Sequence, residues 1–416
     1  MTPAARAQAA IDILDGFEQS GLPADRFIRE FFRARRYAGS KDRAAIAERV
    51  FDIFRHRSEY RWRMRGETNR AAVIASLLRE GEDPAALFTG GYGPGPLTAA
   101  ESEAIANRPT EEPPAHIRGE YPHFLETELT RRFGEELADA MRALTERASV
   151  DLRVNILRAR RADILPILRG EGFEAEQASF APHGIRIASG KGAAALQQNA
   201  LFKEGAFEFQ DEAAQIAAAL CNARPGQHVL DLAAGAGGKS LALAAAMQNE
   251  GKLVACDVRK GALDQLRDRG QRAGASIIAP RLVSELRNET FDIVLLDTPC
   301  SGTGTWRRQP EQRWRLTPER LDELNATQDQ LLDQAARHTK PRGRLVYATC
   351  SILPRENEDR VAAFLARHSN FGVIPATFAW RESITADPPL GLAEFFTASP
   401  HKTGTDGFFA AIMERA

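Results

Sequence analysis

The stretch His228–Ala245 restricts the possible folds more than any other part of the chain, since an apolar segment ending in Asp231 runs through a glycine-rich turn into a helical segment. Glycine has no β-carbon, so the turn Gly235–Gly238 lets the backbone approach a ligand closely. The N–H groups at the start of the following helix, beside Lys239, favour phosphate or carboxylate. This pattern predicts a nucleotide-binding corner, although tight turns also use glycine for steric reasons alone.

A second apolar segment, Leu253–Ala255, leads to Asp257, about twenty residues beyond the glycines, where doubly wound folds place the carboxylate that holds the ribose of an adenosine cofactor. A helix-capping aspartate would give the same pattern. Apolar and helical segments then alternate as far as Gly343–Ala348. We therefore predict an α/β fold: a Rossmann-like doubly wound sheet, preceded by a small α+β segment and an all-α N-terminal domain.

The domain organisation follows from changes of pattern along the 416 residues. Apolar residues recur at helical spacing near the N-terminus, and a stretch rich in glycine and proline follows. We predict an all-α domain over residues 1–85, a linker with connecting helices over 86–150, a small α+β segment over 151–205 and the Rossmann-like domain over 206–416.

The N-terminal helices are rich in arginine: residues 26–70 contain fourteen Lys or Arg against six Asp or Glu. Such side chains either bind RNA phosphates or cover a solvated helix face with their aliphatic stems. The residues concerned are Arg33, Arg35, Arg36, Arg55, Arg57, Arg61, Trp62, Arg63 and Arg65.

Composition argues against several other classes of protein. No apolar run approaches the length of a membrane span and the N-terminus has no signal-peptide pattern, so we expect a cytoplasmic protein without membrane contact. The four cysteines, Cys221, Cys256, Cys300 and Cys350, are too scattered for a disulfide framework or a metal site. A net charge of −1 argues against a uniformly basic coat. No oligomeric state is implied, and we assume a monomer.

Two of the cysteines stand directly after predicted strands, Cys300 three residues beyond Asp297 and Cys350 after a later strand. Ligands of doubly wound sheets bind outside the carboxyl ends of the strands, so these residues should share one crevice with Asp231 and Asp257. Buried structural thiols are the alternative, and it is the one we favour for the other two cysteines.

A crevice with an adenosine-binding corner, an aspartate and two cysteines suits methylation of cytosine at carbon 5. This carbon attacks a sulfonium only after a thiolate has added to carbon 6 and made the ring enamine-like. A general base must then remove the carbon 5 proton before the thiolate can leave. An NAD-dependent dehydrogenase would explain the glycine turn and Asp257 but would give the cysteines no role.

Six motifs follow one another across residues 151–416: FQDEAAQ, LDLAAGAGGKS, ACDVRK, FDIVLLDTPCSGTGTWRRQPEQRW, LVYATCSILPRENE and DGFFAAIM. On these motifs the chain resembles the RsmB/Nop/Sun family of RNA cytosine carbon-5 methyltransferases, and its N-terminal part resembles a NusB-type RNA-binding domain. It departs from the family's pattern at Ala236, where the loop usually has proline, and at Ile278–Arg281, which lacks an acidic residue commonly found near the adenine.

The resemblance implies S-adenosylmethionine as the methyl donor and assigns roles to three residues. Cys350 would be the nucleophile, Cys300 would assist breakdown of the covalent adduct, and Asp297 would contact the cytosine or the cofactor. The expected cofactor-binding residues are Ala233, Ala234, Gly235, Ala236, Gly237, Gly238, Lys239, Asp257 and Asp297.

Arginines alternate with tryptophans directly after Cys300, a pattern that suits phosphate contacts and stacking on unpaired bases, or else a loop folded over the sheet. The RNA-binding candidates are Arg307, Arg308, Arg313, Trp314 and Arg315. We expect an RNA methyltransferase that forms 5-methylcytosine in 16S ribosomal RNA, with ribosomal RNA as its partner. The alternatives are a tRNA substrate and a non-catalytic RNA-binding ribosome-assembly factor.

Overall fold

The computed structural model describes residues 1–188 and 192–416, which form two compact units. The helical unit comprises Met1–Glu146 together with Trp306–Arg315, and the sheet unit comprises Arg147–Thr305 together with Leu316–Ala416. The helical unit therefore extends well past the predicted limit at residue 85. It also includes ten residues that the sequence pattern assigned to the Rossmann-like domain.

The helical unit confirms the predicted all-α N-terminal part. Its first helix begins at Pro3, and proline is tolerated there because the first N–H groups of a helix make no intrahelical hydrogen bond. The Thr2 hydroxyl caps this helix by accepting from the Ala5 N–H at 3.2 Å. Apolar residues such as Ile13, Val50 and Ile74 form the core. The helices are α1 Pro3–Glu18, α2 Ala24–Arg33, α3 Ser40–Arg55, α4 Arg57–Met64, α5 Asn69–Arg79, α6 Pro84–Leu87, α7 Ala99–Ala106, α8 Ala115–Arg118, α9 Glu126–Phe133 and α10 Leu137–Thr145.

The sheet unit begins with a small antiparallel sheet, in the spatial order β2-β3-β1-β4. Its last strand lies beyond the predicted limit at residue 205, because Leu152 of β1 pairs with Phe209 of β4. The elements are β1 Val150–Val154, α11 Arg161–Gly170, β2 Ala175–Gln177, β3 Gly184–Ile187, α12 Ala193–Gln198, α13 Ala200–Lys203 and β4 Phe207–Phe209.

The large sheet of the same unit has the order β10-β12-β9-β8-β5-β6-β7, with β11 paired to β12. Neighbours from β9 through β8, β5 and β6 to β7 are parallel, whereas β12 joins β9 antiparallel. The elements are α14 Glu212–Leu220, β5 His228–Asp231, α15 Gly238–Ala246, β6 Lys252–Asp257, α16 Lys260–Ala273, β7 Ile278–Leu282, β8 Phe291–Asp297, α17 Pro318–His338, β9 Thr339–Thr349, α18 Glu358–Arg367, β10 Phe371–Ile374, α19 Ala376–Ser383, β11 Phe396–Ala398, α20 Pro400–Thr403 and β12 Phe408–Arg415.

Both faces of this sheet are buried. Along β8, for example, Ile293 and Leu295 pack into one core while Val294 and Leu296 pack into the other. Strands buried on both faces read as continuous apolar runs, and this sheet confirms the predicted doubly wound fold. Since β5, β6, β8 and β9 are parallel, their carboxyl ends meet at one edge. Within the described residues, none of the helices combines the length and apolar character that crossing a bilayer requires.

Candidate active site

Cys300 and Cys350 meet at the carboxyl edge of the large sheet. They follow the adjacent parallel strands β8 and β9, whose register pairs Asp297 with Ala348. The Gly304 N–H donates to the Cys350 carbonyl oxygen at 2.9 Å, which ties the two loops together. The two Sγ atoms are 3.3 Å apart. The structure thus brings together the two cysteines that sequence reasoning had placed in one crevice.

The thiol of Cys300 is held in its protonated form. Its hydrogen bond to Cys350 and its burial raise the pKa of the Cys300 thiol well above the ordinary value, and the negative charge of Glu356 contributes in the same direction. Either thiol can be the donor in the hydrogen bond that joins the two sulfur atoms.

Lys239 and Asp297 form an ion pair beside the cysteines, with Nζ 2.6 Å from Oδ2. Lys239 lies at the start of α15 and Asp297 ends β8, so the sheet topology brings them together. Burial acts to lower the pKa of Lys239, but the charges of Asp297, Cys350 and Asp231 raise it overall. The side chain is 11% exposed and remains a cation at the edge of the crevice.

The glycine turn adopts the backbone that its sequence predicted. Gly235 and Gly237 have φ of 55° and 81°, in the left-handed region. A β-carbon on Gly237 would lie 2.0 Å from Leu266 Cδ1, so α16 packs where a side chain would otherwise stand. Among the described residues, no side chain caps the start of α15, which leaves its first N–H groups available to a ligand.

Asp257 stands at the tip of β6 and closes this corner. Its carboxylate accepts from the Gly235 N–H at 2.9 Å and from the Arg259 N–H at 2.8 Å. Burial acts to raise its pKa, but the hydrogen bonds from Arg259 and Gly235 hold the pKa below the ordinary value. Asp257 is therefore an anion at the position expected for ribose recognition.

Asp231, at the end of β5, is buried against the same turn. Ser240 Oγ donates to its Oδ2 at 2.6 Å, while Oδ1 has no hydrogen-bond partner among the described residues. Burial raises the pKa of Asp231 to about 7. An unsatisfied carboxylate oxygen, the uncapped helix start and the anionic Asp257 together fit a nucleoside cofactor that carries hydroxyl and ammonium donors.

Sequence reasoning missed Glu356, which is fully buried and joins the two cysteine loops. Its Oε1 accepts from the Ser301 N–H at 2.8 Å and from Gln328 Nε2 at 3.0 Å, and its Oε2 accepts from the hydroxyls of Ser301 and Ser351. Each serine directly follows a cysteine. The available signal was a carboxylate in the same motif as Cys350, LVYATCSILPRENE.

The remaining two cysteines are packing residues, as predicted. Cys221 and Cys256 are fully buried, and burial raises the pKa of each thiol to about 12. Neither is available as a nucleophile at neutral pH.

The RNA-binding candidates after Cys300 require a correction, because Trp306–Arg315 is built into the helical unit. Arg313 is 0% exposed and donates to the carbonyl oxygens of Glu120 and Leu144 at 2.8 and 3.0 Å. Trp314 Nε1 donates to the Phe54 carbonyl oxygen at 3.0 Å. Because Arg313 is fully buried, the prediction that it binds RNA is wrong, whereas RNA binding by the partly buried Trp314 stays a prediction.

The other arginines of this segment differ in how far they are available to RNA. Arg315 donates to the carbonyl oxygens of Leu22 and Ser20, both at 2.9 Å, and its guanidinium lies 4.0 Å from the centroid of the Phe17 ring. Arg307 is buried, whereas Arg308 is partly exposed. Arg308 stays a prediction.

Comparison with known proteins gives consistent matches. Residues 218–414 match the family described as 16S rRNA methyltransferase RsmB/F, and residues 121–193 match the ferredoxin-like domain of RsmF/B-like methyltransferases. The chain is 31% identical over 305 residues to a probable ribosomal RNA small subunit methyltransferase B of Synechocystis, covering 71% of this chain and 67% of that protein. It is 33% identical over 307 residues to ribosomal RNA small subunit methyltransferase B of Pseudomonas syringae pv. tomato, covering 71% and 66%. The chain thus spans about two thirds of the length of the curated relatives it matches.

Solved structures share the fold. The crystal structure of PH0851 covers 100% of this chain and 99% of its own, with a TM-score of 0.76 and 27% identity. A methyltransferase homolog from Pyrococcus horikoshii covers 73% of this chain and 98% of its own, with a TM-score of 0.62 and 25% identity.

Proposed function

This chain belongs to the RsmB/F family of 16S rRNA methyltransferases, as its motifs predicted, and on that basis we propose that it methylates carbon 5 of a cytosine in small-subunit ribosomal RNA. The observation that carries the proposal is the 3.3 Å separation of Cys300 Sγ and Cys350 Sγ at the ends of adjacent strands. Methyl transfer to an atom that is already nucleophilic needs no thiol, whereas transfer to carbon 5 needs one to add and a base to finish the reaction.

S-adenosylmethionine, the donor expected for this family, supplies an electrophilic methyl group when bound. Asp257 would hold its ribose hydroxyls, and the first N–H groups of α15 would bind its polar end. The residues that would line the cofactor site are Ala233, Ala234, Gly235, Ala236, Gly237, Gly238, Lys239 and Asp297.

Cys350 is the proposed nucleophile. Its thiolate forms a bond to carbon 6 of cytosine, and the displaced electron pair moves through the ring toward N3 and the carbonyl oxygen. The Lys239 cation, paired with Asp297 2.6 Å away, provides a fixed positive charge where that negative charge develops. Carbon 5 then bonds to the methyl group as the methyl–sulfonium bond breaks, and the donor leaves as the neutral thioether S-adenosylhomocysteine.

Cys300 is the proposed base that ends the reaction. Its hydrogen bond to Cys350 is the largest cause of its raised pKa. Once the Cys350 sulfur is bonded to carbon 6 it is a neutral thioether and a weak hydrogen-bond acceptor, so the pKa of Cys300 falls and its thiol releases its proton to solvent. The Cys300 thiolate then accepts the carbon 5 proton, the electron pair of that carbon–hydrogen bond forms the carbon 5–carbon 6 double bond, the sulfur–carbon 6 bond breaks, and Cys350 leaves as a thiolate.

The test is transfer of labelled methyl groups from S-adenosylmethionine to 16S rRNA, to small-subunit particles and to tRNA. The parent, Cys350→Ala and Cys300→Ala proteins are compared at equal concentration. We expect the parent to label cytosine in 16S rRNA, Cys350→Ala to be inactive, and Cys300→Ala to accumulate as a protein–RNA adduct that survives denaturing electrophoresis.

Other outcomes would contradict specific parts of the proposal. Labelling of tRNA alone would show that the substrate is tRNA and not 16S rRNA. Activity in Cys350→Ala would refute the assignment of Cys350 as the nucleophile. Cofactor binding without transfer to any of the three RNA preparations would favour a non-catalytic ribosome-assembly factor. Cys256→Ser, which changes a buried thiol away from the crevice, is the matched control for loss of a cysteine.

A further inference from the structure

The loop between α2 and α3, together with the last residue of α2 and the first two residues of α3, concentrates positive charge. Residues 33–41, RARRYAGSK, contain four cationic side chains and no acidic one. Arg33, Arg36 and Lys41 are exposed, and the Tyr37 ring between them is 74% exposed. We call this segment the 33–41 loop.

Several arginines elsewhere in the helical unit are paired with acids. Arg61 pairs with Glu18 at 3.3 Å and with Glu67 at 3.2 Å, and Arg63 pairs with Glu59 at 2.7 Å. The helices that the sequence analysis considered for RNA contact therefore use several of their arginines internally.

The 33–41 loop differs in this respect. In the described part of the chain, no ion pair joins Arg33, Arg36 or Lys41 to a carboxylate. One turn earlier on α2 the pattern is the opposite, since Arg26 pairs with Glu30 at 3.0 Å and Arg29 with Asp25 at 2.9 Å. Three cationic side chains without a carboxylate partner therefore lie close together in this segment.

Two features give the loop a defined shape. The Arg35 guanidinium lies 3.6 Å from the centroid of the Phe31 ring and donates to the Phe31 carbonyl oxygen at 3.4 Å. Ala38 is buried and accepts from Arg43 at 2.8 Å. The loop is therefore fixed on both sides of Tyr37, whose ring is presented to solvent rather than packed.

We propose that the 33–41 loop is a contact site for single-stranded RNA. Arg33, Arg36 and Lys41 bind phosphates, and Tyr37 stacks on an unpaired base. Each nucleotide of a single strand carries both a charge and a flat face, which is the combination that this surface complements. The inference rests on the proposed function only for the identity of the partner as RNA.

The test measures binding of a fluorescently labelled single-stranded RNA oligonucleotide of mixed sequence by anisotropy, over a series of salt concentrations. The double variant Arg33→Gln/Arg36→Gln should flatten the slope of log affinity against log salt by roughly 1.4, for two lost phosphate contacts. Arg26→Gln/Arg29→Gln removes the same charge from α2, outside the 33–41 loop, and should leave the slope unchanged. If both double variants flatten the slope equally, the proposal is overturned, because the slope then depends on the total charge of the protein and not on the 33–41 loop.

Stacking is tested separately at constant salt. Tyr37→Ala should weaken binding about tenfold, whereas Tyr92→Ala, which removes a ring that is 93% exposed, should not. Equal affinities for the two tyrosine variants would refute the stacking contact. Binding of polyglutamate that matches RNA in strength and in its response to the variants would reassign the surface to an acidic protein.

These assays contain no methyl donor, so their result is independent of the methylation test. A parent that binds RNA through the loop but methylates none would refute the proposed function and leave this inference standing. A parent that methylates RNA, together with loop variants that bind RNA as tightly as the parent, would support the proposed function and refute this inference.

Discussion

Replacement of Glu356 by glutamine tests whether the two cysteine loops are held in register by one carboxylate. The substitution keeps the side-chain volume but replaces one acceptor oxygen by an NH2 donor. All four groups that donate to Glu356 lie on or beside the cysteine loops. Whichever way the amide is oriented, its NH2 faces two of these donors.

The magnitude follows from the bonds that are lost. A hydrogen bond to a charged acceptor contributes about 1.5–3 kcal/mol, so the loss of one or two costs roughly 2–5 kcal/mol. If the amide oxygen stays on the Ser301 N–H, the NH2 faces the hydroxyls of Ser301 and Ser351, which lose their shared acceptor, so the two cysteine loops are expected to move apart. Misplacement of a reacting group by about 1 Å reduces a rate by roughly 100-fold. We therefore expect kcat to fall by that order while KM for RNA changes little.

A second readout separates positioning from mere support of the fold. The charge of Glu356 is one of the causes that raise the pKa of Cys300, after the Cys350 hydrogen bond and burial. Removing the charge lowers that pKa, so alkylation of Cys300 by iodoacetamide should begin at lower pH in Glu356→Gln. The alkylated peptide is quantified by mass spectrometry.

The matched control is Glu323→Gln, which changes an exposed carboxylate of α17 that pairs with Arg320 at 2.8 Å. It should leave kcat, the alkylation profile and Tm at parent values. A Glu356→Gln protein with a lower Tm but the parent's kcat and alkylation profile, measured well below that Tm, would refute the positioning role.

Three further predictions concern single side chains. Asp257→Asn should raise the Kd for S-adenosylmethionine by roughly 10- to 100-fold in calorimetry while RNA affinity stays constant; an unchanged Kd would remove Asp257 from the cofactor site. Arg313→Met leaves two buried carbonyl oxygens unpaired and should lower the unfolding free energy by roughly 2–5 kcal/mol in urea titrations; loss of RNA affinity without loss of stability would restore its RNA role. Asp231 has a folded-state pKa raised to about 7, so the folded state holds an extra proton between about pH 4 and pH 7. The unfolding free energy should therefore decrease as pH rises through that window, by up to roughly 4 kcal/mol, and Asp231→Asn should flatten the decrease. A slope shared by parent and variant would contradict this.

The parts of the site that sequence reasoning predicted are those encoded locally. The glycine turn, Asp257 and the two cysteines each stand at the end of a strand, and parallel topology alone brings strand ends together. The same local pattern identified the fold class, because buried strands and amphipathic helices differ in periodicity.

The parts that it missed depend on contacts between distant segments. Arg313 lies in an Arg/Trp pattern typical of RNA binding, and its backbone partners are Glu120 and Leu144, far earlier in the chain. Glu356 precedes a helix in a polar stretch that resembles a solvated surface. In both cases the residue type was visible but the burial was not, since burial is decided by segments that a local pattern does not include.

The membership of Trp306–Arg315 in the helical unit has a consequence for synthesis and for engineering. A ribosome releases the first 146 residues long before it synthesises Trp306–Arg315, the segment that completes their core. Until then, the carbonyl oxygens of Glu120 and Leu144 lack the hydrogen bonds that Arg313 donates. Closing the intervening residues 147–305 costs roughly 4–5 kcal/mol of chain entropy. A fragment cut at residue 146 therefore lacks part of its own interior, and the helical unit cannot be transplanted as a contiguous N-terminal module.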